Sequence, residues 1–455
     1  MSGRLDLETL TRLIESGEID TVVVAMTDMQ GRLMGKRVTG RFFLDSVVEE
    51  THGCNYLLTV DMEMEPVPGY EAASWELGYG DFVFKPDLDT LRRIPWLEGT
   101  ALVLCDLLDH HTHRDIPHSP RAILRRQLAR LADKGWVAKM ASELEFYVLD
   151  ESYEAARAKD YKNLKRTGWY IEDYHIFQTT KEEPLIRAIR NGMEAAGIPV
   201  EVSKGEWGPG QEEINFRYAE ALEMADRHVI YKNGAKEIAF LQGKAVTFMA
   251  KPAYDLAGNS CHIHSSLWQA TGDKPLFADE SDEHGMSKLF RHYLAGLIAC
   301  APAMTYFLAP FINSYKRFQA GSFAPTKLAW SIDNRTAGFR LLGPGAGTRI
   351  ECRIPGADAN PYLAYAAILA AGLHGIENEL ELAPPFVGNA YQGEGVPDVP
   401  KTLRAALQAL DESAVMRGAF GDTVVDHYLH AGQWEQAEYD RRVTDWEVIR
   451  GFERA

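Results

Sequence analysis

The spacing of hydrophobic and polar positions predicts that helices and strands are mixed from the start of the chain. Residues 5–16 place apolar side chains at helical intervals, which indicates a short amphipathic helix. The apolar runs TVVVAMTD and RLMGKRV flank a DMQGR turn and predict a β-hairpin, and FFLDSVVEE is helical in pattern. Further strands are expected near residues 54–60 and in DFVFKPDL and TALVLCDL. We therefore predict a small, mostly β N-terminal domain over residues 1–110.

A longer second region, residues 111–455, opens with a clear helix start. Ser119 is a favoured N-cap residue, and Pro120 suits the first helical position. Strands are predicted in VAKMASELEFYVLD, VEVSKGEW, AVTFMAK and CHIHSSLW, with helices at about 182–197 and 218–241 between them. Because helices and strands alternate irregularly, we predict an α+β fold with helices against one face of the sheet, not a doubly wound parallel sheet.

Three stretches depart from this alternation. The histidine-rich HHTHRDIP is expected to be a linker in preference to a metal-binding tract, and the polar stretch 151–180 an insert. Tyr293–Ile312 is uncharged and long enough to imitate a membrane span. Pro302 and Pro310 are expected to break it, so we interpret it as a buried helix followed by an apolar turn.

Composition and charge narrow the classes of function. The 455 residues are 46 % hydrophobic, which is typical of a globular protein, and the net charge of −17 disfavours nucleic acid and anionic membranes as partners. No export signal is visible at the N-terminus, so we expect a cytoplasmic protein. The five cysteines are scattered and form no CxxC pair, which argues against a disulfide framework and a structural zinc site.

One segment of this acidic chain is basic. Residues 313–362 contain seven basic and three acidic side chains, a net charge of +4, and five of the basic ones are arginines. Arginine matches carboxylate and phosphate oxygens, and an anion relieves the repulsion among clustered guanidinium groups. Within it, a strand at 348–355 would place Arg349, Glu351 and Arg353 on one face. That face either lines a cleft that binds an anionic substrate or is simply solvated.

Carboxylates and histidines supply a second set of candidate residues. Glu143 and Glu145 point to the same face of a predicted strand, and HIH does the same for His262 and His264. The motif GEWGPGQEE adds Glu206 and Glu213 around a turn. Hard oxygen ligands with an occasional imidazole fit Mg²⁺ or Mn²⁺ better than zinc. Each pair alone is as compatible with a structural or solvated role, but together with the arginines they indicate phosphoryl transfer.

These motifs together resemble those of the glutamine synthetase family from about residue 20 to the end of the chain. The matching segments are SELEF, GPGQEE, TFMAKP, HIHSSL, NSYKR, DNRT with GFR, and TRIECRIPGADANPYLAYAA. The resemblance implies a small β-grasp-like N-terminal domain and a larger catalytic domain. It also implies a homo-oligomer of stacked rings, a dodecamer, in which each active site lies between neighbouring subunits.

The resemblance assigns roles position by position. It implies two sets of ligands for Mg²⁺ or Mn²⁺, the first being Glu145, Glu206 and Glu213, and the second Glu143, His262 and Glu351. It implies that glutamate is held by Arg317, Arg353 and Gly258, phosphate by Arg335 and Arg340, and ATP by Arg349, His264 and Ser266. Arg317 and Arg335 are thereby expected to act on the reacting groups. The reaction implied is transfer of the ATP γ-phosphate to the γ-carboxylate of glutamate, followed by attack of an amine.

Three departures from the family pattern concern the amine and the glutamate. Ammonia-using members carry a glutamate in the loop that here reads RFQAGSFAP, and Phe323 stands at that position. The loop that would supply an aspartate to the adjacent subunit keeps Asp61, but Met62, Glu63 and Met64 replace its small residues. Ala257 replaces the usual asparagine before Gly258. Phenylalanine offers no oxygen to replace the water around ammonium, whereas it suits the carbon body of an organic amine.

We therefore predict a ligase that joins glutamate to an organic amine, such as ethanolamine or a small alkylamine. Two alternatives stay open from the sequence. In one, Phe323 only packs the loop, Asp61 serves ammonium, and the protein is a glutamine synthetase. In the other, the protein is a noncatalytic or regulatory homologue that keeps the fold but not the turnover.

Overall fold

Two β-sheets organise the fold, which a computed structural model describes for residues 3–455. The first sheet has five strands in the order β2-β1-β5-β4-β3. Its strands are β1 (Thr21–Thr27), β2 (Leu33–Thr39), β3 (Thr51–Cys54), β4 (Asp81–Arg93) and β5 (Thr100–Asp109), and α1 (Leu7–Glu15) and α2 (Gly40–Phe42) accompany them. Strand β1 is antiparallel to β2 and parallel to β5. The predicted helix and hairpin are confirmed, while the domain boundary at residue 110 stays a prediction.

The strand expected near residues 54–60 is wrong. Strand β3 ends at Cys54, opposite Asp81 of β4, and Asn55–Leu58 forms a 3₁₀ turn. The apolar residues of this run do not alternate between two faces of a strand, because the turn carries Leu58 into the core, where it is fully buried.

The second sheet has nine strands and carries the candidate site. Its main path is β12-β13-β14-β11-β6-β8-β7, and β9 and β10 also pair with the central strand β6. The strands are β6 (Trp136–Leu149), β7 (Val200–Gly205), β8 (Gln211–Phe216), β9 (Ala219–Glu220), β10 (Ala245–Thr247), β11 (Cys261–Gln269), β12 (Trp330–Ile332), β13 (Phe339–Leu342) and β14 (Arg349–Cys352). All pairs are antiparallel except β12 with β13. The predicted α+β class is confirmed.

Most helices belong to the same part of the chain as this second sheet. They are α3 (Pro120–Ala132), α4 (Tyr153–Ala158), α5 (Ile176–Thr179), α6 (Glu183–Ala195), α7 (Ala221–Leu241), α8 (Lys288–Leu308), α9 (Pro361–Glu377), α10 (Leu403–Asp411), α11 (Ala414–Phe420), α12 (Asp422–Asp440) and α13 (Asp445–Gly451). Ser119 and Pro120 begin α3 as predicted. The polar insert at 151–180 contains the short helices α4 and α5. Helices α8 and α9 pack closely, because Gly296 and Gly375 let their backbones approach.

The expectation that Pro302 interrupts the apolar segment is wrong. Helix α8 runs from Lys288 to Leu308 with Pro302 inside it, and only Pro310, beyond its end, lies outside the helix. A proline in a helix removes one backbone hydrogen bond, and the extensive burial of α8 offsets that cost. Among residues 3–455, no helix is both long and apolar enough to cross a membrane.

Candidate functional site

Neighbouring strands of the second sheet bring the predicted carboxylates, histidines and arginines onto one surface. Glu143 in β6 lies opposite His262 in β11, and Glu145 lies opposite Glu213 in β8. Farther along the sheet, Glu351 in β14 lies between His264 and Arg340, its partners on the two flanking strands. Residues directly opposite each other in antiparallel strands lie on the same face of the sheet. Strand pairing therefore brings five motifs that are separate in the sequence together in one site.

The first predicted metal set is compact. Glu145, Glu206 and Glu213 each offer an oxygen within 4.8 Å of the others, and Glu145 and Glu213 are buried. Burial, together with the charge of Glu206, raises the pKa of Glu145 to about 8. Burial and the neighbouring carboxylates raise the pKa of Glu213 well above its ordinary value. Lys204 pairs with the half-buried Glu206 at 2.5 Å, and the repulsion that stays among the three carboxylates fits a hard divalent cation such as Mg²⁺ or Mn²⁺.

The second predicted set gathers around His262. Its Nδ1 lies 3.3 Å from Oε2 of Glu143 and 3.5 Å from Oε1 of Glu351, while its buried Nε2 has no hydrogen-bond partner. Burial and the charge of Arg353 lower the pKa of His262 to about 4, so the ring is neutral at pH 7. A neutral imidazole between two carboxylates is a donor set suited to a metal ion.

Two arginines hold Glu351 in place. Arg353 donates from Nη1 to Oε1 at 2.5 Å, and Arg340 donates from Nη1 to Oε2 at 3.1 Å. Burial opposes ionisation of Glu351, but the charge of Arg353 beside it holds its pKa below the ordinary value. The solvated-face alternative for this strand is thus excluded, because Glu351 is only 1 % exposed. The charged face of β14 lines a cleft.

His264 makes a contact that the sequence did not indicate. Arg349 donates from Nε to its Nδ1 at 3.1 Å, which leaves the proton of the neutral ring on Nε2, 2.9 Å from Oε1 of Glu143. His264 also joins Glu143 and Glu351 in a second group with ligand atoms within 4.8 Å. The residue expected to contact nucleotide therefore also borders the metal ligands.

Two adjoining cavities contain most of the predicted residues. The larger has a volume of about 740 Å³ and is lined by Glu143, Glu145, Glu206, Glu213, Gly258, His262, Phe323, Arg335, Arg340, Glu351 and Arg353. The smaller, of about 470 Å³, is lined by His264, Ser266 and Arg349. Glu143 lines both cavities. The candidate nucleotide contacts His264, Ser266 and Arg349 thus line one cavity, the candidate glutamate contacts Gly258 and Arg353 line the other, and Glu143 belongs to the wall of both.

Arg317 and Asp61 do not line the larger cavity of this chain. Arg317 is 1 % exposed and lies behind Gly258, and it donates to the carbonyl of Ile354 at 2.9 Å and to Oγ of Ser260 at 3.0 Å. Asp61 accepts hydrogen bonds from its own loop, and Nε1 of Trp434 donates to its Oδ2 at 3.3 Å. Within one subunit, Asp61 stays apart from the other predicted residues.

The sequence reasoning missed Trp207. The centroid of its indole lies 5.5 Å from the centroid of the Phe323 ring, and both residues line the larger cavity. Phe323 has a φ of 60°, a left-handed conformation that is rare for a bulky side chain and is often found at functional sites. Its place in the sequence could have indicated that it belongs to the site, because Trp207 directly follows the predicted metal ligand Glu206.

The chain is similar to known proteins over almost its whole length. Residues 117–450 match the family model described as glutamine synthetase, catalytic domain. The gamma-glutamylethanolamide synthetase GlnA4 of Streptomyces coelicolor is 51 % identical over 451 residues, covering 99 % of this chain and 96 % of its own. The glutamate–isopropylamine ligase of a Pseudomonas species is 37 % identical over 443 residues, covering 96 % of each chain. A solved structure described as "GmaS/ADP complex-Conformation 1" has a TM-score of 0.85 at 29 % identity, covering 97 % of this chain and 99 % of its own.

Proposed function

The chain belongs to the glutamine synthetase family, and on that premise we propose that it joins the γ-carboxylate of glutamate to an organic amine at the expense of ATP. One observation carries the choice of amine. The position where ammonia-using members carry a glutamate is Phe323, and its ring meets Trp207 on the wall of the acidic cavity. Ethanolamine and small alkylamines are the substrates that we favour.

The metal ligands are proposed on their donor chemistry. Glu145, Glu206 and Glu213 would hold one divalent cation, Mg²⁺ or Mn²⁺. His262 would hold another with Glu143 and Glu351, whose oxygens lie 3.3 Å and 3.5 Å from its Nδ1. When bound, these cations neutralise negative charge on the phosphoryl group during its transfer. The protein prepares both sites by bringing carboxylates together. Lys204, Arg340 and Arg353 offset part of their repulsion, and a divalent cation would offset the rest.

The arginines bind and orient the two anionic substrates. Arg335 lines the cavity and is exposed, and over residues 3–455 its side chain makes no hydrogen bond. Its guanidinium is therefore available to bind phosphate. Arg340 and Arg353 line the same cavity while they hold Glu351, and we assign them to phosphate and to a carboxylate of glutamate. Arg317 supports Gly258 from behind and positions the backbone that glutamate contacts.

The reaction balances in two steps. An oxygen of the glutamate γ-carboxylate forms a bond to the γ-phosphorus of ATP, and the bond from that phosphorus to the bridging oxygen of ADP breaks. The amine nitrogen then bonds to the acyl carbon, phosphate leaves with its oxygen, and the nitrogen loses a proton. The arginines hold the two anions side by side. Their positive charge offsets the free-energy cost of bringing two anions together and orienting them.

The aromatic wall favours a carbon-bearing amine. A small hydrated ammonium ion needs several oxygens to replace its water, and neither Phe323 nor Trp207 offers one. Both rings present apolar surface, which an alkyl or hydroxyalkyl group can cover. The names of the two relatives, an ethanolamide synthetase and an isopropylamine ligase, support the same substrate class.

We further infer a homo-oligomer of ring-arranged subunits in which Asp61 enters the cavity of a neighbour. Asp61 lies outside the larger cavity of its own chain, yet the family resemblance assigns it to the amine site. A neighbouring subunit resolves this separation by bringing its own Asp61 to the cavity.

Phosphate release tests the proposal directly. The enzyme is supplied with ATP, Mg²⁺ and glutamate, and then with ammonia, methylamine, ethanolamine, isopropylamine or putrescine in separate assays. We expect an organic amine to give the highest kcat/KM. If ammonia does, the protein is a glutamine synthetase, and if no amine stimulates release, it is a noncatalytic homologue.

A further inference from the structure

Three buried glutamates form a cluster outside the catalytic cavity. Glu172 lies in the insert before α5, Glu182 directly precedes α6, and Glu212 belongs to β8. Their side chains are almost fully buried, with exposures of 0 %, 2 % and 1 % in that order. Each offers an oxygen within 4.8 Å of the others. None of the three lines either cavity described above.

The hydrogen bonds of the cluster leave oxygens free. The backbone N–H of Gly210 and Nε2 of Gln178 donate to Oε1 of Glu172, and the hydroxyl of Thr167 donates to Oε1 of Glu182. One buried oxygen of each glutamate has no partner: Oε2 of Glu172, Oε2 of Glu182 and Oε1 of Glu212. Glu182 and Glu212 also share a side-chain hydrogen bond, which requires one proton, and the oxygens that stay without partners cost free energy that a bound cation would offset.

Protein cations do not neutralise the cluster. Over residues 3–455, no lysine or arginine forms an ion pair with any of the three carboxylates. Lys181 lies close enough to act on the charge of Glu172, but its Nζ donates to Oε1 of Gln178 and not to a carboxylate of the cluster. A divalent cation with oxygens at about 2.1–2.5 Å keeps its ligand oxygens no more than about 5 Å apart. One oxygen of each glutamate lies within 4.8 Å of the others, which is close enough to share a cation.

We propose that Glu172, Glu182 and Glu212 bind one hard divalent cation, at a site separate from the catalytic cations. Successive residues of a strand point to opposite faces, so Glu212 faces away from the cavity that its neighbour Glu213 lines. The same segment that carries Glu172 carries Asp173 and Tyr174, and both of these line the catalytic cavity. A cation in the cluster would tie this segment to β8 and so fix one wall of the cavity.

Cation stoichiometry tests the proposal. Purified protein is dialysed against Mn²⁺ or Ca²⁺ without nucleotide, and bound metal is measured per chain. We expect Glu182→Gln to bind one cation fewer than the wild type. Glu183→Gln is the matched control, because Glu183 is the next residue but pairs with Arg190 outside the cluster. Equal stoichiometry in Glu182→Gln and the wild type would overturn the proposal, and the three carboxyls would then share protons instead.

A second variant keeps the test independent of the catalytic assignment and of the folding of Glu182→Gln. Glu145→Gln combined with Glu351→Gln disables both proposed catalytic cation sites and leaves the cluster intact. We expect this double variant to retain one bound Ca²⁺ per chain and to melt at a higher temperature when Ca²⁺ is added. A double variant that binds no Ca²⁺ would also overturn the proposal. A failure of the catalytic proposal would change the amine assay but not this stoichiometry.

Discussion

The ring of Phe323 meets the indole of Trp207 at a centroid distance of 5.5 Å and an angle of 58°. The two residues are far apart in the sequence, and each is connected to a residue assigned to metal or to glutamate. Trp207 follows Glu206 of the first metal set, and the carbonyl of Phe323 accepts from Nη2 of Arg353 at 3.4 Å. The wall that we assign to the amine is therefore anchored to the groups assigned to metal and glutamate.

Replacing Phe323 by glutamate should move the preference toward ammonia. A carboxylate at the mouth of the cavity would give ammonium an oxygen ligand and would remove apolar surface from an alkylamine. We expect the ratio of kcat/KM for ammonia to that for the preferred organic amine to rise about tenfold or more, which equals about 1.4 kcal/mol. Phe323→Leu is the control and should keep the original order of amines. Unchanged selectivity in Phe323→Glu would show that this loop does not select the amine.

Trp207→Ala should weaken the organic amine selectively. Removing the indole deletes half of the aromatic wall, and burial of a few methylene groups is worth about 1–3 kcal/mol. We expect the KM for the amine to rise about tenfold or more while the KM values for ATP and glutamate stay near their original values. Trp207→Phe should restore most of the loss. Equal increases in all three KM values would indicate instead that the loop carrying Glu206 has collapsed.

Glu351→Ala should abolish turnover with every amine. The side chain is proposed to bind a metal that serves phosphoryl transfer, the step common to all amines, so the loss should exceed about 100-fold. Glu351→Gln distinguishes loss of the metal ligand from loss of the hydrogen bonds to Arg340 and Arg353. Its amide oxygen still accepts a hydrogen bond from one arginine, although the negative charge is gone. The exposed Glu381→Ala serves as the surface control. Substantial activity in Glu351→Gln with any amine would refute the assignment to metal.

Gly258→Ala should impair glutamate binding. A Cβ at this position would lie 2.4 Å from Cγ of Arg317 and 2.8 Å from the carbonyl oxygen of Ala250, so the backbone or the buried arginine must shift. We expect a rise of about tenfold in the KM for glutamate and a smaller change for ATP. Gly418→Ala is the control, since nothing lies within 4 Å of the added methyl group. Wild-type kinetics in Gly258→Ala would mean that glutamate does not use this backbone.

Mixed oligomers should reveal whether Asp61 serves a neighbouring subunit. Asp61→Ala and Glu351→Ala subunits, each inactive alone, are co-expressed with different tags and purified as hetero-oligomers. If the site is shared, random assembly pairs an intact Asp61 with an intact Glu351 in about one quarter of the sites. We therefore expect activity to return to roughly that fraction of the wild type. Hetero-oligomers that stay inactive would show that the two residues do not act across an interface.

The local sequence alone determined much of the fold, because short-range patterns depend on residues close together in the chain. The hairpin around DMQGR, the start of α3 at Ser119 and Pro120, and the strand carrying HIH all follow from spacing and turn chemistry. The motifs also named the carboxylates, histidines and arginines that line the cavities. Local pattern failed at Pro302, where burial of α8 outweighs the helix-breaking tendency of proline.

Tertiary structure alone decided which of these residues meet. The opposition of Glu143 to His262 depends on the register of β6 and β11, which lie more than a hundred residues apart in the chain. The same holds for the contact of Trp207 with Phe323, the cluster of Glu172, Glu182 and Glu212, and the separation of Asp61 from the cavity. Sequence spacing specifies the face of a strand on which a side chain lies. The side chain across from it is set by strand pairing and by the packing of distant segments.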